Sequence, residues 1–138
     1  MDLLAVIAAA FEIEMRSNVR RTAFLAEHRL TPPTAQALWA IDPLEPPPSM
    51  KVMTDRLHCN APNLTFIANQ LIDRGLVTRD VDPADRRSRV LELTARGREV
   101  RDELIRETLA TSPYAVLDPE ELAQLNGLLS RVLNASEG

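Results

Sequence analysis

Apolar residues recur at steps of three and four at the start of the chain, at Leu4, Ile7, Phe11 and Met15, which places them on one stripe of a helix. No glycine or proline interrupts this stretch, so the pattern predicts one long helix from Asp2 to about His28. Thr31-Pro32-Pro33-Thr34 opens a second helix, with a threonine cap and prolines in the first turn; Leu38 and Ile41 mark it, and it ends before Pro43. Pro46-Pro47-Pro48 is a stiff connector, barred from a helix and from a sheet interior. Ser49 caps a third helix from Met50 to about Leu57, with Met50, Met53 and Leu57 facing inward. His58-Cys59 makes a turn, and Asn60 caps a fourth helix with Pro62 in its first turn. Leu64, Ile67, Ala68 and Leu71 fall on one face of that helix, and Gly75 stops it. Two short helices joined by a tight turn predict a helix-turn-helix.

Beyond Gly75 the period changes from helical to alternating. Leu76 to Val81 and Arg89 to Leu93 predict two short strands, joined by a seven-residue connection from Asp82 to Ser88. Thr94 caps a helix to about Ala110, which Ser112-Pro113 breaks. Asp118-Pro119-Glu120-Glu121 combines a cap, a first-turn proline and a carboxylate that can reach back. Leu122, Leu125, Leu129 and Val132 then form the stripe of a last helix to about Asn134. The predicted fold is mainly α with a small β-hairpin: a winged helix-turn-helix flanked by N- and C-terminal dimerisation helices. A stripe of four large apolar side chains is worth roughly 6–12 kcal/mol when buried, and the end helices carry more leucine than so small a core absorbs. Pairing of these helices in a symmetric homodimer accounts for them. The expected division of this single domain puts residues 31–94 in a DNA-binding lobe and residues 1–30 and 95–138 in a helical dimerisation region.

Charge sharpens the picture. The net charge is −4, which taken alone disfavours a nucleic-acid partner. Between Ser49 and Arg101, however, ten Lys/Arg stand against seven Asp/Glu, so the acidic excess lies outside the centre. Partner choice follows the local field, and a basic central face is compatible with DNA. One cysteine, Cys59, rules out an intramolecular disulfide framework. No run approaches the ~20 apolar residues that span a bilayer, and the apolar opening lacks a basic leader region. A cytoplasmic protein with no membrane partner is expected.

The candidate chemistry is that of binding. On the fourth helix Asn60, Pro62, Asn63, Thr65, Phe66, Asn69 and Gln70 lie at the capped start or mostly off the apolar face. Asn and Gln pair with adenine in the major groove, and Thr can contact a thymine methyl. Phe66 packs either on such a methyl or against its own domain. Arg86, Arg87 and Arg89 stand at the hairpin tip, and arginine on an extended tip suits a narrow, electronegative minor groove. Cys59 is expected as a buried structural thiol sealing the helix-turn-helix core. His58 and Cys59 are adjacent and poorly placed to ligate one ion, even with His28, so no metal is expected. Neither a phosphate loop nor a nucleophile elbow is present, and neither a cofactor nor an enzyme activity is expected.

Three segments in register carry a resemblance. They are Leu71-Ile72-Asp73-Arg74-Gly75-Leu76-Val77-Thr78-Arg79, then Asp82-Pro83-Ala84-Asp85-Arg86-Arg87-Ser88, then Leu91-Glu92-Leu93-Thr94-Ala95-Arg96-Gly97-Arg98. Together they resemble the MarR family of winged helix-turn-helix transcriptional regulators over essentially the whole chain. The resemblance implies a sequence-specific, DNA-binding regulator of repressor type, acting as a homodimer on a pseudo-palindromic operator of double-stranded DNA. It implies that Asp85 orients the wing, that Arg87 enters the minor groove, and that Arg86 adds a phosphate or groove contact. It also implies release by a small aromatic or phenolic effector, which no residue here identifies. The sequence departs from the family at the turn, where His58 replaces the usual glycine, and at Val52 and Thr54 in the preceding helix. The competing reading is a winged-helix protein-interaction module that does not bind DNA.

Overall fold

The structure, a computed structural model, describes residues 2–136. The elements are α1 (Leu3–Glu27), α2 (Pro32–Ala40), α3 (Met50–Leu57), α4 (Ala61–Asp73), β1 (Val77–Asp82), β2 (Asp85–Leu93), α5 (Ala95–Thr111) and α6 (Pro119–Ser136), with a short 3-10 turn at Pro113–Val116 before α6. Their order and type follow the hydrophobic pattern. Two compact units are distinguished: residues 21–107, and residues 2–20 together with 108–136.

The central unit is built on the buried faces of short, well-capped helices. Thr31 and Thr34 form a reciprocal capping box at the start of α2. The Thr34 N–H donates to Thr31 Oγ1 at 3.3 Å, and the Thr31 N–H donates to Thr34 Oγ1 at 2.8 Å. Thr34 is fully buried, and its hydroxyl also donates to the Thr31 carbonyl, which removes the penalty of an unpaired polar group. Ser49 caps α3 by accepting from the Val52 N–H. Leu38 and Ile41 meet Met53 from α3, the predicted face Leu64, Ile67, Ala68 and Leu71 of α4, and Leu91 and Leu93 of β2 in one core. Met50 and Leu57 pack on its margin.

The last turns of α1 and the start of α5 belong to this same core through Phe24, Val100 and Leu104. His28 fastens them. Its Nδ1 lies 3.0 Å from the Phe24 carbonyl, its Nε2 lies 2.6 Å from Glu103 Oε2, and its ring stacks on Phe24. Arg101 of α5 donates to the Trp39 carbonyl at the end of α2.

The hairpin differs from expectation in one respect. Where the spacing predicts a seven-residue connection from Asp82 to Ser88, β2 begins at Asp85 and only Pro83-Ala84 form the turn. The antiparallel register runs from Val77↔Leu93 to Val81↔Arg89 and then jumps to Asp82↔Asp85. That jump leaves Arg86, Arg87 and Ser88 bulged out of the ladder. The sequence signal was misread because a bulge and a loop both show as polar residues without alternation. Pro48 and Ser49 lie along the outer side of β2: the Leu91 N–H donates to the Pro48 carbonyl, and Ser49 bridges Val90. Proline is tolerated there because the contact uses only its carbonyl.

In the second unit the predicted stripes are present and largely bare, with Leu125 half-buried. Leu4, Ile7, Phe11 and Met15 of α1 are exposed, as are Leu122, Leu129 and Val132 of α6. No residue of α6 is buried. Its start is fixed by Asp118 and Glu121, each carboxylate accepting from the other's backbone N–H.

Gly97 lies directly against the backbone of Leu76. A Cβ there would stand 1.9 Å from the Leu76 carbonyl oxygen. Gly97→Ala is therefore expected to lose about 3 kcal/mol or more of stability through forced backbone movement. Urea unfolding measures this, and a wild-type midpoint would show that the contact is soft.

Candidate nucleic-acid interface

The interface begins at the turn between α3 and α4. His58 takes a left-handed backbone, φ 51, the conformation for which glycine is usual at a helix end. Its N–H and that of Cys59 close the last turn of α3 on the carbonyls of Asp55 and Thr54. The histidine thus accommodates the turn rather than reshaping it. Thr54, the other departure in α3, satisfies its hydroxyl locally by donating to the Lys51 carbonyl. Cys59 is half-buried and packs on the core margin, so it is less enclosed than the sealed thiol expected from the sequence. It stands in the wall of a groove of about 490 Å³ beside α4, with Thr31, Pro33, Leu57 and Phe66.

From this turn α4 starts with Asn60, whose Oδ1 accepts from the Asn63 N–H at 2.8 Å. Pro62 occupies the first turn, where its missing N–H is no loss. Leu64, Ile67, Ala68 and Leu71 are buried, so the helix can turn only one side outward. That side presents Asn63, Thr65, Phe66 and Asn69 as exposed residues, with Gln70 partly covered. Phe66 is 65% exposed, so it does not pack into its own domain. The Thr65 hydroxyl donates back to the Ala61 carbonyl.

The hairpin supplies the second part. Asp82 Oδ1 accepts from the Ala84 N–H, and Asp85 Oδ1 accepts from the Arg87 N–H at 3.0 Å. Each is a local side-chain turn that stiffens a tip lacking ladder bonds. Arg86 and Arg87 are exposed in the bulge. Arg89 behaves differently from its neighbours: its guanidinium donates to the carbonyls of Arg86 and Ser88, each at 3.3 Å, and so braces the bulge. One residue outside the predicted contact set, Arg79, joins the two parts. Arg79 of β1 donates from Nη1 to Asn69 Oδ1 of α4 at 3.0 Å. A strand residue meeting a helix residue ten positions earlier leaves no periodic signal, so only the fold reveals the pair.

Much of the basic charge between Ser49 and Arg101 has structural work. Arg56 holds the Ala40 carbonyl and Glu45, Arg74 holds the Gln70 carbonyl, and Arg96 pairs with Glu99. Arg86 and Arg87 remain exposed at the hairpin bulge, and Arg79 is exposed on β1 beside Asn69.

Comparison with known proteins agrees with this geometry. The MarR family model matches residues 29–88, from the start of α2 through the hairpin bulge. An HTH-type transcriptional regulator of Bacillus subtilis (strain 168), YkoM, is 29% identical over 133 residues, covering 95% of this chain and 84% of the relative. Among solved structures, MarR is similar with a TM-score of 0.77 at 19% identity, covering 99% of this chain and 91% of that one. A MarR transcriptional regulator from Methanosarcina mazei Go1 gives 0.79 at 16% identity, with 96% of each chain covered. The transcriptional repressor CouR, bound to a 23-mer DNA duplex, gives 0.73 at 23% identity, covering 96% of this chain and 89% of that one.

The Asn60 cap is expected to carry about 1 kcal/mol of stability. Asn60→Ala should lose that amount in thermal unfolding, and Asn60→Ser, which restores a capping oxygen, should recover most of it. Equal stability of Asn60→Ala and wild type would remove the cap from the account of α4.

Proposed function

We propose that this chain, a member of the MarR family, is a sequence-specific DNA-binding transcriptional regulator that acts as a homodimer. The observation that carries the reading is the pairing of two exposed elements in one unit. The outward face of α4 holds Asn63, Thr65, Phe66 and Asn69, and the β1–β2 bulge holds Arg86 and Arg87. A helix about 10–12 Å wide fits a major groove, and an arginine-bearing tip fits the flanking minor groove. In this reading Asn60 and Pro62 bring the start of α4 to the backbone, Asn63, Thr65, Asn69 and Gln70 meet base edges or phosphates, and Phe66 lies on a thymine methyl. Arg87 enters the minor groove, Arg86 contacts phosphate, Arg89 supports the tip, and Asp85 orients it.

The bare stripes of α1 and α6 support dimerisation, since exposed apolar patches of this kind mark association surfaces. The solved CouR, a transcriptional repressor on a DNA duplex with this fold, supports both the DNA partner and the repressor sense. Among the described residues no helix is long and apolar enough to cross a membrane, and the reading places the protein with DNA in the cytoplasm. It extends, on the family resemblance alone, to release from the operator by a small aromatic or phenolic ligand.

Arg87→Ala is expected to weaken operator binding by about 1–3 kcal/mol per half-site and to lower the salt slope by about one per subunit. Mass and melting temperature should stay those of the wild-type dimer. Titration of labelled duplex at several salt concentrations measures this. Unchanged affinity and slope would remove the wing from the interface.

A further inference from the structure

The bond between Asn69 and Arg79 has a fixed polarity. A guanidinium only donates, so the Asn69 amide must turn its oxygen toward Arg79 and its nitrogen away. Both side chains are exposed, one on the outward face of α4 and the other on β1. No carboxylate claims Arg79. The nearest in sequence, Asp80, accepts instead from the Thr78 hydroxyl, and among the described residues no ion pair involves Arg79. What the pair offers outward is the amide N–H groups of Asn69 and the remaining guanidinium N–H groups of Arg79. It is an edge dominated by donors.

That edge changes what Asn69 can read. A free asparagine pairs with adenine by accepting from N6 and donating to N7. Here one of the amide oxygen's two lone pairs is already taken by a cation, which weakens it as an acceptor for adenine N6, and that amino group would also face the remaining donors of the guanidinium. Guanine shows two acceptors, N7 and O6, on its major-groove edge. We propose that Asn69 and Arg79 form a composite reading unit that selects guanine over adenine at one position of each half-site. Asn69 touches the base, and Arg79 both holds the amide orientation and adds donors of its own. This rests on the reading of α4 as the helix that enters the major groove.

The test is selection of bound duplexes from a random pool by the full chain. Wild type, Asn69→Ala, Arg79→Ala and Arg79→Lys are compared, each first checked for dimer mass and thermal melting. The position whose preference disappears in Asn69→Ala is the one Asn69 reads. Wild type is expected to enrich guanine there. In Arg79→Ala the guanine-to-adenine ratio at that position should fall about tenfold, within the range of one base contact, with other positions unchanged. Arg79→Lys should keep guanine, because an ammonium also only donates and preserves the amide orientation. Adenine preference in the wild type overturns the proposal. So does an Arg79→Ala protein that binds all sequences more weakly with the same base preferences and a smaller salt slope, which would make Arg79 a phosphate contact. If folded, dimeric wild type enriches no sequence, the regulator reading itself falls and the pair falls with it.

Discussion

The geometry of the exposed side formed by α4 and the hairpin depends on one junction, where Thr94 meets the end of α4. Its hydroxyl donates to the Gly75 carbonyl at 2.6 Å and accepts from the Gly97 N–H at 2.9 Å, while its own N–H donates to the Leu76 carbonyl. Gly75 is in the left-handed region, φ 71, so α4 can end and the chain can turn at once into β1. Gly97 carries no Cβ, which lets the first turn of α5 press onto Leu76. Three consecutive segments, α4, the β1–β2 hairpin and α5, are therefore locked over a few ångströms. In the proposed reading the mutual angle of α4 and the hairpin must be held, and this junction holds it.

Outward from the junction, stiffness is maintained by local means. The hairpin tip has no core beneath it and lacks ladder bonds across the bulge. Two aspartates replace them with side-chain turns, and Arg89 braces the bulge carbonyls from below. Arg86 and Arg87 are left mounted on a short, ordered tip instead of a loose loop. Holding a cation in place before binding reduces the ordering cost when a phosphate or groove is met. The Arg79–Asn69 bond does the same for the flank of α4.

The distribution of charge and apolar surface fits two separate tasks. In the central unit the basic residues divide into those that hold carbonyls and carboxylates and those that remain outward. In the helical ends many large apolar side chains lie on the outward surface beside the charged ones. An acidic total therefore says little about the partner, because the cations that matter are few and local.

Most of the architecture was legible in the residues. Caps at Thr31, Ser49, Asn60, Thr94 and Asp118, prolines in first turns and the 3.6-residue apolar period set each helix, since these are interactions within a turn or two of chain. The family-like wing segment likewise read correctly as a hairpin. The length of its turn did not, because a bulge arises from pairing between strands, and polar residues without alternation do not distinguish it from a loop. Exposure of Phe66, the partial cover of Cys59, the bracing role of Arg89 and the Arg79–Asn69 bond were likewise decided only by the fold. Each depends on a neighbour brought in from another element, and such neighbours are set by packing rather than by spacing along the chain.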